Sequence, residues 1–229
     1  MRAAACEMSH TMNQSQTHHE TQPSVDAANP AATPISGVNT YDLSGPSALP
    51  QTPLTPAPFP QRIVLTGFMG SGKSTIGRLL ARHLRWRFVD ADHAIESAAG
   101  KSITAIFADH GEPWFRELEH QTIRNLVNSK FLVLALGGGA VEDPRTRELL
   151  KSEGVWLIHL EICFETVLIR CRGSEAIRPV LADRANLQSR YERRLPLYRE
   201  SHLNLAVDQL RPPAILDIIL KQIGTVPQS

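Results

Sequence analysis

A glycine-rich stretch, GFMGSGKST at residues 67–75, contains the residue types that bind a polyphosphate. Gly67 and the triplet Gly72-Lys73-Ser74 have the spacing of a phosphate-binding loop, G-x-x-x-x-G-K-[ST]. Glycines let backbone N–H groups close on phosphate oxygens, Lys73 can reach the β- and γ-phosphates, and Ser74 can be a ligand of Mg²⁺. A glycine-rich turn with a chance lysine is the alternative. The apolar run RIVLT before the stretch and the helical pattern after it favour a site for a nucleoside triphosphate and its magnesium ion.

Two carboxylates follow the next predicted strand, in the segment FVDAD. Asp90 and Asp92 are two residues apart, so on an extended chain they point to the same side. One could orient the water shell of the metal, and the other could accept a proton from an acceptor hydroxyl, as phosphoryl transfer requires. The alternative is that one of them only caps the helix that begins near residue 93.

Three consecutive glycines, Gly137, Gly138 and Gly139, follow the predicted strand FLVLAL. Without side chains, a substrate could lie directly on their backbone, although a simple flexible turn has the same composition. Upstream, Arg116 and Glu119 are three residues apart on a predicted helix and could form an ion pair. Such a pair is either a plain surface pair worth about 0.3–0.5 kcal/mol or a device that holds the arginine rigid for an anion, and spacing leaves both open.

Two further arginines are candidates for binding negative charge. Arg178 lies in a polar segment at 171–183, CRGSEAIRPVLAD, which separates two predicted helices and has the character of a lid over a phosphate site. It could neutralise charge on the γ-phosphoryl group as this group moves. Arg194 lies near the end of a predicted helix.

Alternating strands and helices from residue 61 onward must position these side chains. Continuous apolar strands predict a buried parallel sheet with helices on both faces, and ligands bind at the carboxyl ends of such strands. The predicted strands are 62–66, 87–90, 131–136, 155–160 and 203–207. The predicted helices are 73–85, 92–99, 103–109, 112–128, 144–151, 164–171, 186–199 and 212–223.

The first 60 residues differ in composition from the rest of the chain. They contain nine of the 16 prolines, one basic residue and four acidic residues, without apolar periodicity. We expect a disordered leader over 1–60 and a domain over 61–225. The net charge of +1 includes −3 from this leader, so the remaining 169 residues carry +4, which argues against a nucleic-acid partner.

The sequence also bears on where in the cell we expect the protein to be. No apolar run reaches the length of a membrane span. The three cysteines show no paired metal-binding spacing and are typical of reduced cytoplasmic thiols. We therefore expect a cytoplasmic protein without a membrane partner.

Six segments, which occur in the same order and with similar gaps, together resemble the shikimate kinase family. The resemblance extends from about residue 61 to 223. The segments are FMGSGKSTIGRLLA, FVDADHAIE, GKSITAIFADHGEPWFRELE, LGGGAV, IRPVL and RLPLYRE. The resemblance implies a three-layer α/β P-loop fold of the nucleoside monophosphate kinase type. It implies a five-stranded parallel sheet of order 2-3-1-4-5 and a mobile lid near 171–184. The implied reaction transfers the γ-phosphoryl group of ATP to the 3-hydroxyl of shikimate.

The resemblance also implies a role for each motif position. The implied catalytic residues are Lys73, Asp92 and Arg178, with Asp92 as the base. The implied ATP-binding residues are Gly70, Ser71, Gly72, Lys73, Ser74, Thr75, Arg178, Arg172 and Arg211. Ser74 and Asp90 would hold Mg²⁺, and the implied shikimate-binding residues are Asp92, Arg116, Gly137, Gly138, Gly139 and Arg194.

Some assignments depart from the family pattern or compete with others. Arg170 and Arg172 flank Cys171 where the family has an arginine that stacks on adenine, and Arg211 is assigned to adenine only by its place after the last strand. We expect a monomer that binds shikimate and ATP. A P-loop kinase for another hydroxy acid such as gluconate is the alternative function. A non-catalytic relative is disfavoured because Lys73 and Asp92 are both present.

Overall fold

The computed structural model describes residues 60–172 and 184–224. Residues 1–59 of the predicted leader lie outside the described residues. So do residues 173–183, which form most of the predicted lid and include Arg178. No helix in the described ranges is long and apolar enough to cross a membrane.

Strands and helices alternate along the described chain, as predicted. The strands are β1 (Arg62–Thr66), β2 (Arg87–Asp90), β3 (Leu132–Ala135), β4 (Val155–Glu161) and β5 (Leu203–Ala206). The helices are α1 (Lys73–Leu84), α2 (Ala91–Ala99), α3 (Ile103–Val127), α4 (Pro144–Leu150), α5 (Phe164–Arg170), α6 (Arg184–Tyr198) and α7 (Pro212–Ile223), with a 3₁₀ turn at Ala140–Glu142.

All five strands form one parallel sheet in the order β2-β3-β1-β4-β5. The predicted order is therefore confirmed. β1 occupies the centre, so the loop that follows it begins in the middle of the carboxyl edge of the sheet. The turns after β2 and β3 begin at the same edge, which brings the predicted motifs together.

The alternation of side chains along β1 divides the core into two layers. Ile63 and Leu65 pack on one face of the sheet with buried residues of α1, α5, α6 and α7. Val64 packs on the other face with residues of α3 and α4, such as Ile123 and Leu150. Helices cover both faces of a buried parallel sheet, which gives the predicted three-layer arrangement.

A break inside α3 separates the two helices predicted at 103–109 and 112–128. Gly111 has φ 77° and ψ 173°, outside the helical region, and Pro113 follows two residues later. Trp114, the residue after Pro113, is 45% exposed and stacks on His110. The change of direction at Gly111 turns Trp114 toward solvent, whereas the neighbouring Phe115 is buried.

Candidate active site

The loop between β1 and α1 has the backbone conformation that its glycines permit. Gly67, Gly70 and Gly72 have φ values of 137°, 79° and 93°, in a region that favours glycine. A Cβ at Gly67 would lie 2.6 Å from the carbonyl oxygen of Leu160, so glycine is also required by contact. The Lys73 ammonium donates hydrogen bonds to the carbonyl oxygens of Gly67 at 2.8 Å and Phe68 at 3.1 Å, which folds it back over the loop.

Two buried hydroxyl groups near this loop lack hydrogen-bond partners within the described part of the chain. They are Thr66 Oγ1, at the end of β1, and Ser71 Oγ, inside the loop. Buried polar atoms in folded proteins are nearly always hydrogen-bonded. The loop region therefore has polar groups that remain to be satisfied, as expected where a polar ligand binds.

Ser74 and Asp90 meet although 16 residues separate them. The Ser74 hydroxyl in the first turn of α1 donates a 2.6 Å hydrogen bond to Asp90 Oδ2 at the end of β2. Asp90 is the residue before α2, yet its side chain makes no capping hydrogen bond to that helix. Because α2 begins at Ala91, Asp92 lies in the first turn rather than at the cap position. The capping alternative therefore does not account for either carboxylate.

Arg116 is part of an ion-pair cluster on α3. Its Nη1 donates to Glu119 Oε2 at 2.6 Å, and its Nη2 donates to Glu112 Oε1 at 3.0 Å. The Glu119 side chain is only 3% exposed. Burial raises the pKa of the Glu119 carboxyl, and the nearby Asp92 acts in the same direction, although Arg116 opposes both. An ion pair this buried is no plain surface pair, and it orients the guanidinium.

The three glycines after β3 lie against these charged groups. A Cβ at Gly139 would lie 2.6 Å from Nη2 and 2.7 Å from Nη1 of Arg116. A Cβ at Gly137 would clash with Asp92 Oδ1 and lie 2.9 Å from Glu119 Oε1. Side chains at these positions would displace the charged groups, so the turn needs glycine for close approach and not only for flexibility.

Arg194 reaches the same turn from α6 and is buried. Its Nε donates to Glu142 Oε2 at 2.9 Å, and its Nη2 forms an ion pair with the same oxygen at 2.7 Å. Its guanidinium lies over the Phe68 ring, 5.9 Å from the centroid. One turn later on α6, the Tyr198 hydroxyl donates to the Gly138 carbonyl oxygen. Burial is the main cause that raises the pKa of Tyr198, which stays a neutral donor.

Sequence reasoning missed His159 as well as Glu142. His159 is buried in β4, its Nδ1 lies 3.0 Å from Asn204 Oδ1, and its ring stacks on Tyr198 with 5.2 Å between centroids. Its Cδ2 would lie 3.4 Å from a Cβ at Gly67, so the ring supports the phosphate-binding loop from behind. Burial lowers the pKa of His159 below its ordinary value. No motif in the sequence marks either residue.

A cleft of about 990 Å³ connects the loop with the arginine and carboxylate groups. The predicted site residues that line it are Gly70, Gly72, Lys73, Ser74, Thr75, Asp90, Asp92, Gly138 and Arg194. Arg116 does not line it but lies beside Gly139.

The arginines at the far end of the cleft differ in their contacts. Arg170 lines the cleft and donates to the carbonyl oxygens of Gly70, Val207 and Asp208, each at 3.2 Å. It thus ties the phosphate-binding loop to the segment after β5. Arg172 and Arg211, which were predicted to bind ATP, are exposed.

The fold and the cleft together define the class of protein. A parallel sheet of order 2-3-1-4-5, with a phosphate-binding loop after its central strand, is the architecture of P-loop kinases of the nucleoside monophosphate kinase type.

Comparison with known proteins narrows this class. The family model described as shikimate kinase matches residues 69–224. The curated shikimate kinase of Persephonella marina is 40% identical over 164 residues, which cover 71% of this chain and 99% of the relative. That of Salinibacter ruber is 38% identical over 183 residues, which cover 74% and 89%.

A solved structure agrees with these relatives. The shikimate kinase from Acinetobacter baumannii in complex with shikimate matches with a TM-score of 0.68 and 36% identity, over 73% of this chain and 94% of the other. This chain belongs to the shikimate kinase family.

Proposed function

We propose that this protein transfers the γ-phosphoryl group of ATP to the 3-hydroxyl of shikimate and releases shikimate 3-phosphate and ADP. The observation that carries the proposal is the single cleft that holds Lys73, the Ser74–Asp90 pair, Asp92 and Arg194. Membership of the shikimate kinase family supports the same reaction and sets aside gluconate as the acceptor.

The phosphate-binding loop from Gly70 to Thr75 holds the ATP phosphates through backbone N–H groups and the N-terminus of α1. Lys73 is bonded to the Gly67 and Phe68 carbonyl oxygens, and we infer that its ammonium turns to the β- and γ-phosphates when ATP binds. Its positive charge then stabilises the charge that develops as the phosphoryl group leaves.

Ser74 and Asp90 are the residues that would hold Mg²⁺. A hydroxyl and a carboxylate oxygen 2.6 Å apart, beside the phosphate-binding loop, fit the preference of Mg²⁺ for a few hard oxygen ligands together with substrate phosphates. When bound, the ion neutralises charge on the β- and γ-phosphate oxygens.

The acceptor lies on the opposite side of the cleft. Asp92 binds the 3-hydroxyl and takes its proton, while the backbone of Gly137–Gly139 lies along the ring. Arg116 and Arg194 approach this glycine turn from α3 and α6, so two cations can bind one substrate carboxylate. Arginine suits the role because its planar fork matches the geometry of a carboxylate.

The remaining proposed contacts concern ATP. Arg178, in the segment predicted to be a lid, meets the transferred phosphoryl group, and Arg172 and Arg211 lie near the adenine. The exposure of both in the structure leaves them accessible to a nucleotide. The protein acts as a monomer in this proposal.

An ADP-release assay with shikimate, quinate and gluconate side by side tests the function. We expect turnover with shikimate to exceed turnover with the other two acceptors. Turnover with gluconate that equals or exceeds that with shikimate would refute the proposal.

Two variants then separate chemistry from binding. Asp92→Asn keeps size but cannot take the proton, so turnover should fall while the dissociation constant of shikimate changes little. Arg116→Lys should weaken shikimate binding about tenfold or more and leave ATP binding unchanged, because lysine lacks the two-donor fork. Dissociation constants must be measured together with turnover, since a Michaelis constant mixes the two. Normal turnover of Asp92→Asn would remove that residue from its assigned role.

A further inference from the structure

Glu142 ends the 3₁₀ turn that directly follows the three glycines, and it contacts two consecutive arginines of α6. Its Oε2 accepts a hydrogen bond from Arg194 Nε at 2.9 Å and forms an ion pair with Nη2 of the same guanidinium at 2.7 Å. Its Oε1 accepts a hydrogen bond from Arg193 Nε at 2.9 Å and forms an ion pair with Nη2 of that guanidinium at 2.8 Å. One carboxylate therefore joins the glycine turn to the helix across 52 residues of sequence.

Of the two ion pairs that Glu142 forms, the one with Arg194 is the more buried. The Arg194 side chain is 7% exposed and that of Glu142 22%, whereas Arg193 is 59% exposed. Burial by itself raises the pKa of Glu142, but the hydrogen bonds from Arg194 and Arg193 outweigh it and lower the pKa. Glu142 is therefore ionised at neutral pH and makes charge-assisted hydrogen bonds, which are the strong kind.

The backbone that carries Glu142 is itself held in place. Arg147 Nη1 donates to the carbonyl oxygens of Val141 at 2.6 Å and Glu142 at 3.2 Å. The Tyr198 hydroxyl bonds to the Gly138 carbonyl oxygen at the other end of the turn. A carboxylate on a fixed backbone can fix the orientation of a guanidinium bonded to it.

The contacts leave one nitrogen of Arg194 outside the ion pair. Glu142 is paired with Nε and Nη2, while Nη1 lies on the side of the glycine turn, 3.7 Å from the position that a Cβ of Gly138 would take. Glu119 is placed in a similar way beside Arg116, with 2.6 Å to Nη1. Each of the two arginines thus has its own carboxylate that orients it.

We propose that Glu142 is a positioning residue, which sets the Arg194 guanidinium at the angle needed to bind the carboxylate of the acceptor. This inference rests on the proposed function, in which Arg194 binds shikimate. Two effects of Glu142 oppose each other, because its negative charge repels a substrate carboxylate while its hydrogen bonds orient Arg194. Removal of the charge alone would strengthen binding, whereas loss of orientation would weaken it.

Glu142→Gln tests which effect prevails, since glutamine keeps the size of the side chain, removes the charge and replaces one of the two accepting oxygens by an NH₂ group that cannot accept from an arginine. We expect the shikimate dissociation constant, measured by calorimetry, to rise about tenfold. The ATP dissociation constant and the turnover number at saturating shikimate should stay within about twofold, since Arg194 contacts neither the phosphates nor the transferred group in this proposal.

Glu161→Gln is the matched control. Glu161, 24% exposed, accepts a 2.6 Å hydrogen bond from Arg199 just beyond the end of α6, and it does not line the cleft. The control should leave shikimate affinity unchanged. If Glu142→Gln does not fold, Glu142→Asp retracts the carboxylate by one methylene and must show the same selective loss.

Three outcomes would overturn the inference: unchanged or tighter shikimate binding by the Glu142 variant, an equal loss in the Glu161 control, or an equal loss of ATP affinity. Failure of the unsubstituted chain to bind shikimate would be a different result, since it would overturn the proposed function itself.

Discussion

Substitution of Gly139 by alanine tests whether the glycine turn serves to admit the Arg116 guanidinium. The added Cβ would lie 2.6 Å from Nη2, 2.7 Å from Nη1 and 2.9 Å from Cζ of Arg116. Gly139 has φ −95°, which alanine adopts without strain. The backbone therefore accepts the new residue, and the conflict is with the end of one long side chain.

The size of the effect follows from these distances. Ordinary van der Waals contact begins at 3.4 Å, so Arg116 must move by about 0.8 Å, from 2.6 to 3.4 Å. Its 2.6 Å ion pair with Glu119 is short enough to survive such a shift. The guanidinium would, however, no longer be placed for two hydrogen bonds to a substrate carboxylate. Loss of one charge-assisted hydrogen bond costs about 1.5–3 kcal/mol, which corresponds to a rise of roughly ten- to a hundredfold in the shikimate dissociation constant.

Stability should change little, because the clashing atoms belong to a flexible side chain that can swing away. We expect the melting temperature to fall by less than about 4 °C, equivalent to less than about 1 kcal/mol for a domain of this size. Calorimetric titration of shikimate and ATP, together with thermal unfolding, checks both expectations. ATP affinity should not change.

A double-mutant cycle with Arg116→Ala decides whether the effect acts through Arg116. If the alanine methyl displaces the guanidinium, Gly139→Ala should add almost nothing to the loss already caused by Arg116→Ala. If the methyl group obstructs shikimate directly, the two losses should add. Additive losses would therefore refute the idea that glycine is needed at position 139 to admit Arg116.

Three further predictions concern other parts of the chain. Lys73→Met removes the ammonium proposed to bind the ATP phosphates, so turnover in the ADP-release assay should fall by orders of magnitude; near-normal turnover would contradict the assignment of the phosphate-binding loop. Deletion of residues 1–58 should leave turnover and melting temperature nearly unchanged, because this proline-rich segment has too little apolar surface to fold; a large loss of folded protein would oppose that view. Burial lowers the pKa of His159 in the folded state, whereas in the unfolded chain this histidine has its ordinary pKa of 6.5. Below about pH 6.5 the unfolded chain therefore binds a proton that the folded protein does not, and the free energy of unfolding should fall as the pH drops. Melting temperatures between pH 5 and 8 should show a smaller slope in His159→Asn than in a control variant of the exposed His83, and equal slopes would contradict the assignment.

The part of the site that could be predicted from the sequence is the part whose function depends on backbone conformation. The phosphate-binding loop needs glycines at fixed spacing because φ at Gly67 and Gly72 lies in a region that other residues avoid. That requirement is visible in sequence, and so is a central buried strand such as β1, which is apolar on both faces. The strand order came from the family resemblance, since periodicity alone does not say which strands are neighbours.

Boundaries and side-chain directions were less predictable. Helix α2 begins at Ala91, before the predicted start at residue 92 and the start near 93 that a capping Asp92 would need, so Asp92 lies in the first turn. Trp114 is a large apolar residue of the kind that usually packs in a core, yet the backbone turn at Gly111 exposes it. The residues around a helix break do not indicate the direction in which the next helix runs.

The residues that orient Arg116 and Arg194 show where reasoning from local sequence ends. Glu119 could be suggested as a partner of Arg116 because three residues on a helix bring the two together, and only its burial had to come from the structure. Glu142 could not be suggested for Arg194, because 52 residues and a change of element separate them. Both carboxylates have the same physical effect, since each fixes the orientation of an arginine guanidinium before any ligand binds. A substrate carboxylate then meets cations that are already oriented, so less conformational entropy is lost on binding than with free side chains. The cost is repulsion from two nearby negative charges, and the positive charges of Arg116 and Arg194 offset it.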